Sequence, residues 1–205
     1  MFGKDYFSRI MPRIFAFISD TDTKRVPQVY RRAASFTISR ILSQDETFAH
    51  QDVASAMLIS AIHQPLLHFT PNVLMSTDER EQPSDVESNA IPLLHPSSVI
   101  SVITTLLSNA DPSPSFVDKL LRPIIPSLYS LLESLQKRSA VDPVLKERVS
   151  GILTTWLRIS SSQDVLAMLW KIIHGERQFW QVDVAGEIRN IERQVAVFSR
   201  FCYNV

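Results

Sequence analysis

The chain has 205 residues, 45% of them hydrophobic, and its 21 Lys+Arg balance 21 Asp+Glu for a formal net charge of zero. That length and apolar content suit one ordinary domain or two small ones, with a core that needs no staples, and exclude general disorder. Neutrality argues against a dedicated nucleic-acid binder, which carries a basic excess.

The neutrality is a sum over unlike parts. Residues 1–40 carry a net charge of +5, residues 41–95 a net of −7 and residues 96–205 a net of +2. A basic start and an acidic middle have the means to attract each other or different partners, although screened charge on ordinary helix surfaces is the expectation. Only four glycines occur, at positions 3, 151, 175 and 186. That is too few for a β-rich or Gly-loop fold, and 3.6-residue periodicity dominates, so the fold class read from the sequence is all-α.

In chain order, the N-terminal helical segment (1–70) offers candidate helices at Tyr6–Ser19, interrupted by Pro12, at Pro27–Leu42, and at Asp52–Phe69, broken near Pro65. Lys4, Asp5, Arg9 and Arg13 punctuate the first of these, leaving neither the ~20 apolar residues of a membrane span nor the uncharged block of a signal peptide. Asp5 and Asp20 weaken a mitochondrial leader. A soluble intracellular protein with no transmembrane segment is expected. The basic group Lys24, Arg25, Arg31, Arg32 and Arg40 has few interleaved aromatics and reads as a solvated helix face rather than a contact for RNA or an acidic protein segment. Residues 71–95 are polar and acidic, with the run Ser76–Asp85 lacking periodic hydrophobics, and are expected to be a flexible loop.

The pattern is clearest over residues 96–175. A helix from about Ser98 to Ser108 carries Val99, Val102, Ile103, Leu106 and Leu107 on one stripe, and Asn109–Pro114 ends it. Ser115 with Asp118 resembles a capping box for a second helix. That helix carries Val117, Leu121, Ile124, Ile125, Leu128, Leu132 and Leu135, and Pro123 and Pro126 should kink it or divide it in two. Asp142-Pro143 is an N-cap with a first-turn proline for a third helix bearing Leu145, Val149, Ile152, Trp156 and Ile159. Ser161 with Asp164 opens a fourth, which uses Val165, Met168, Leu169, Ile172 and Ile173 and closes at His174-Gly175.

Val102-Ile103-Thr104-Thr105-Leu106-Leu107 reappears fifty residues later as Ile152-Leu153-Thr154-Thr155-Trp156-Leu157. With helix starts recurring at about 45 residues, the spacing suits two stacked antiparallel helix pairs of an HEAT- or armadillo-like α-solenoid; a plain helical bundle is the alternative. In the C-terminal extension (176–205), Trp180, Val182 and Val184 alternate with polar residues as in a short strand or extended arm. Ile188, Ile191, Val195 and Phe198 favour a final helix.

Nothing in the sequence assembles into a reactive constellation. His63 and His68 flank Pro65 at a spacing unsuited to a metal-binding helix, and His50, His95 and His174 are isolated. No serine sits in a nucleophile elbow, and no glycine loop could cradle a phosphate. Lone Cys202 reads as a buried or idle thiol. Trp156 and Trp170 read as core, and Trp180 as a cap on the repeat end or a partner contact. Accordingly no catalytic, cofactor-binding or metal-ligating residue and no cofactor is assigned, and an enzyme is not expected.

Residues 93–175 resemble a known family, the HEAT-repeat RNA polymerase II assembly and nuclear import factors, whose animal members are called transport and Golgi organisation protein six. The resemblance is carried by Asn109–Pro114, by Leu121-Arg122-Pro123-Ile124-Ile125-Pro126-Ser127-Leu128-Tyr129-Ser130-Leu131-Leu132, by Asp142–Glu147 and by Gly151-Ile152-Leu153-Thr154-Thr155-Trp156. Trp180-Gln181-Val182-Asp183 and Gly186-Glu187-Ile188-Arg189 look like its continuation. Members are much longer, which implies a fragment or a reduced copy here. The resemblance implies a non-enzymatic scaffold, cytoplasmic and shuttling to the nucleus, whose partners are RNA polymerase II subunits and import machinery. The alternative it leaves open is a peripheral scaffold in Golgi organisation or membrane trafficking.

Overall fold

The computed structural model describes residues 3–20, 25–43, 51–67, 91, 94–111, 113–137, 142–175, 179–182 and 188–191. Among them run eight α-helices and one hairpin. The helices are α1 (Gly3–Ser19), α2 (Gln28–Ser43), α3 (Gln51–Leu67), α4 (Pro96–Asn109), α5 (Pro114–Leu121), α6 (Ile125–Lys137), α7 (Pro143–Ile159) and α8 (Ser162–His174). A 3-10 turn at Arg122–Ile124 joins α5 to α6. The fold is all-α apart from antiparallel strands β1 (Phe179–Val182) and β2 (Ile188–Ile191), with Trp180 opposite Asn190 and Val182 opposite Ile188.

Local chemistry sets most of these boundaries. The Asp142 carboxylate accepts from the Val144 amide at 2.9 Å, with Pro143 in the first turn of α7, and the Ser161 hydroxyl accepts from the Asp164 amide at 3.2 Å to open α8. Pro123 and Pro126 divide the second predicted helix in two, and the 3-10 turn absorbs the first of them.

Several expectations are corrected. The cap of α5 is Ser113, not Ser115: Ser113 Oγ accepts from the Phe116 amide at 3.3 Å, with Pro114 preset in the first turn. Pro12 does not interrupt α1, because one missing donor is outweighed in a 17-residue helix that buries Met11, Phe15 and Ile18. Gly175 does end α8 as read, at φ −81° in extended backbone. Glycine fits there because a Cβ would overlap the Lys171 carbonyl oxygen, to which the Gly175 amide donates at 2.7 Å. Ile188 and Ile191 lie on a strand, not on a final helix. Val184, Val195 and Phe198 lie outside the described residues, as does the predicted acidic loop apart from Ile91, Leu94 and His95.

The repeated hexapeptide holds its register in space. Val99, Val102, Ile103 and Leu106 of α4 are buried, and so are their counterparts fifty positions on in α7, Val149, Ile152, Leu153 and Trp156. Both threonine pairs donate to the carbonyl four residues back, at 2.8 and 2.9 Å in each helix. α4 packs beside α7 and α6 beside α8, which is how stacked helix pairs share apolar faces. On the other side α1, α2 and α3 also meet α4, so one core cluster runs from Met11 to Ile188. The hairpin packs β1 against α6 and β2 against α4. It thus joins the pair that precedes the last one in sequence.

Candidate interaction surfaces

Three of the histidines weighed for chemistry are engaged in structure. His63 is buried on α3, and its Nε2–H donates to the Leu120 carbonyl at 2.8 Å, tying α3 to the end of α5. Burial holds its pKa below the ordinary 6.5, against the opposing pull of that hydrogen bond, so the ring is neutral at pH 7. His95 caps α4, its Nδ1 accepting from the Ser97 hydroxyl at 2.8 Å and the Ser97 amide at 3.4 Å. His174 donates from Nδ1 to the Trp170 carbonyl at 3.0 Å. His50, His68 and Cys202 lie outside the described residues. Among the described residues no three His, Cys, Asp or Glu side chains gather as they would around a metal ion.

The three tryptophans divide differently from expectation. Trp156 is core, as read. Trp170 is 67% exposed and stacks on His174 with ring centroids 3.8 Å apart, because α8 turns only its opposite side, at Met168, to the core. Trp180 is buried in the hairpin that packs on α6 and α4, and so does not cap the end of the stack.

Among the described residues three exposed surfaces stand out. On α8, Leu166, Leu169, Trp170 and Ile173 face solvent, with Leu157 of α7 also exposed. Along α7, Lys146, Ser150, Gly151, Thr154 and Arg158 border an open groove of about 570 Å³ whose polar groups line one helix without converging on a point.

The third surface joins α1 and α2. Tyr6, Arg9, Arg13 and Phe17 recur along the solvent side of α1, and Val29, Tyr30, Arg32, Phe36 and Arg40 along that of α2. Phe17 and Tyr30 stack across the two helices at 6.0 Å, and the Arg40 guanidinium lies 5.9 Å from the Phe36 ring centre. Arg31 differs from its neighbours: its Nη2 donates to the Asp20 carbonyl at 2.7 Å, fastening α2 to the residue that follows α1. The aromatics missing from the basic group in the sequence reading are therefore supplied in part by α1. Chain order hides this, since Phe17 and Tyr30 lie thirteen residues apart.

Paired helices stacked side by side over a shared core, with broad exposed faces, define a helical-repeat scaffold of the armadillo type. No described helix is long and apolar enough to cross a membrane. Residues 3–197 match the family model described as transport and Golgi organization protein 6 homolog, ARM-like repeat, and the chain belongs to that family. No curated protein and no solved structure matches it.

Proposed function

We propose that the protein is a non-enzymatic adaptor that holds RNA polymerase II subunits during cytoplasmic assembly and accompanies them to the nucleus with import machinery. The observation that carries this reading is the ARM-like repeat match over residues 3–197, taken with the resemblance that the sequence of residues 93–175 bears to polymerase assembly and import factors. The physical picture agrees with it, because a stacked array works through extended surfaces rather than a reactive pocket. Affinity purification of the tagged chain followed by mass spectrometry tests it: polymerase subunits and import receptors are expected, and their absence overturns it.

A second reading is favoured by the family's own description, which names transport and Golgi organization. In that reading the chain is a peripheral scaffold at a membrane, with the basic N-terminal residues meeting anionic headgroups. Flotation with liposomes containing anionic lipid separates the two, since an adaptor with no membrane role stays at the bottom of the gradient.

A further inference from the structure

We propose that the exposed face shared by α1 and α2 is the docking surface for an acidic, aromatic-bearing peptide segment of a protein partner. The proposal rests on the adaptor reading and gives that partner's contact a place and a chemistry.

Charge is the first ground. The described side chains between residues 6 and 43 include six arginines, at 9, 13, 25, 31, 32 and 40, against one carboxylate, Asp20. Arg9, Arg13, Arg32 and Arg40 are exposed, and among the described residues no carboxylate pairs with them. All four are arginine rather than lysine. A planar guanidinium engages a carboxylate through two parallel hydrogen bonds and lies flat on a ring, which suits a ligand that mixes acidic and aromatic groups.

The second ground is apolar exposure that folding does not require. α1 and α2 fill their core side with Met11, Phe15, Ile18, Ile38 and Leu42, and still leave Tyr6, Phe17, Val29, Tyr30 and Phe36 between 41% and 76% exposed. Rings interleaved with cations over one continuous face mark a contact surface in an otherwise solvated protein. The Phe17–Tyr30 stack makes the face continuous across both helices, and at Arg40 a carboxylate would land beside the Phe36 ring.

A peptide fits better than the other anionic partners. A nucleic acid responds to a longer-range field, and over these 205 residues the charge sums to zero, with −7 carried by residues 41–95. A short segment with a few carboxylates needs only the local patch. A membrane takes up the apolar side of an amphipathic helix, and in α1 and α2 that side is already turned into the core.

The test uses the full chain and a fluorescein-labelled 14-residue peptide alternating Glu pairs with Phe and Tyr, read by fluorescence anisotropy. Comparison ligands are the same peptide with Gln for Glu, a single-stranded oligo-uridine, and vesicles containing phosphatidylserine. Saturable binding of the acidic peptide is expected, weakening as salt rises. Arg9→Glu, Arg13→Glu, Arg32→Glu and Arg40→Glu combined should weaken it by at least about tenfold, and Tyr30→Ala with Phe36→Ala by about threefold. The proposal is overturned by equal affinity in wild type and the charge-reversed chain. It is overturned equally by a Gln peptide that binds as well as the Glu one, or by oligo-uridine or vesicles that bind more tightly than the peptide. Circular dichroism checks folding; should the quadruple variant fail to fold, Arg32→Glu with Arg40→Glu carries the same comparison. Both chains also serve as purification baits. Polymerase subunits recovered equally with both overturn this surface and leave the adaptor reading standing; none recovered with wild type overturns the adaptor reading, while the anisotropy still decides the surface.

Discussion

Helices α6 and α8 have thirteen residues each and occupy equivalent places in successive helix pairs, yet they are buried very differently. α6 buries Ile125, Leu128, Leu131 and Leu135 together with Ser127 and Ser130, whereas α8 buries only Met168. Composition does not explain this, since α8 also carries Val165, Leu166, Leu169, Trp170, Ile172 and Ile173. Position does. α6 has α3, α7, α8 and β1 around it, and α8 has α6 as its principal neighbour. In a stacked array the stabilisation drawn from an apolar side chain depends on how many layers flank it, so equal sequences at the middle and at the rim are not equally important.

The sharpest way to break that comparison is to cut the same side chain in both helices. Leu128→Ala in α6 should cost about 2–5 kcal/mol through lost transfer energy and a residual cavity, while Leu166→Ala in α8 should stay within about 0.5 kcal/mol; urea unfolding midpoints measure both. The two described glycines outside α1 repeat the contrast at backbone level. Gly175→Ala forces a methyl against the Lys171 carbonyl and should cost about 1–3 kcal/mol. Gly151→Ala, with nothing within 4 Å of the added methyl on an exposed helix face, should stabilise by about 0.5–1 kcal/mol. Thermal melts at one pH rank the pair.

Smaller effects are expected at the helix starts. Asp142→Ala and Ser161→Ala each remove an acceptor for an otherwise unpaired amide and should cost about 1 kcal/mol apiece. Nearly equal costs are expected because capping is local and indifferent to the layers above. The least effect at neutral pH concerns His63. Its native pKa lies below the ordinary 6.5, so the unfolded chain binds the proton more readily. Stability is therefore intact above about pH 6.5 and falls as pH drops toward the lowered native value. His63→Gln should flatten that part of a Tm-against-pH curve, and an unchanged slope would assign the acid sensitivity to other groups.

The parts of this fold legible in the sequence are those settled within a turn or two of chain. Asp142-Pro143 and Ser161 with Asp164 each contain their donor and acceptor within four residues, with a preset proline in the first, and the structure uses them as read. Ser113 and Ser115 flank the same proline, and only the three-dimensional path of the chain chooses between them. The first strand is legible in the alternation of Trp180 and Val182 with polar neighbours, but the second is not, because Ile188 and Ile191 satisfy a helical spacing over too short a stretch and their pairing with Phe179–Val182 is decided across the chain. The same reason separates the tryptophans: the period shows that Trp170 lies on an apolar helix but not that no described layer covers that side. For the candidate surface, the arginines of α2 and the rings of Tyr30 and Phe36 are visible in the sequence, whereas the rings supplied by α1 are not, since they arrive from another helix.

The hairpin also has a practical reach. Trp180, Val182 and Ile188 are as buried as the helical core, and the strands that carry them seat on α4 and α6 rather than on the pair just before them in the chain. The two strands behave as a buckle drawn back over an earlier turn of a belt. A shortened version ending at α8 would open the apolar seam that Trp180, Val182 and Ile188 fill, so any trimming belongs beyond Ile191.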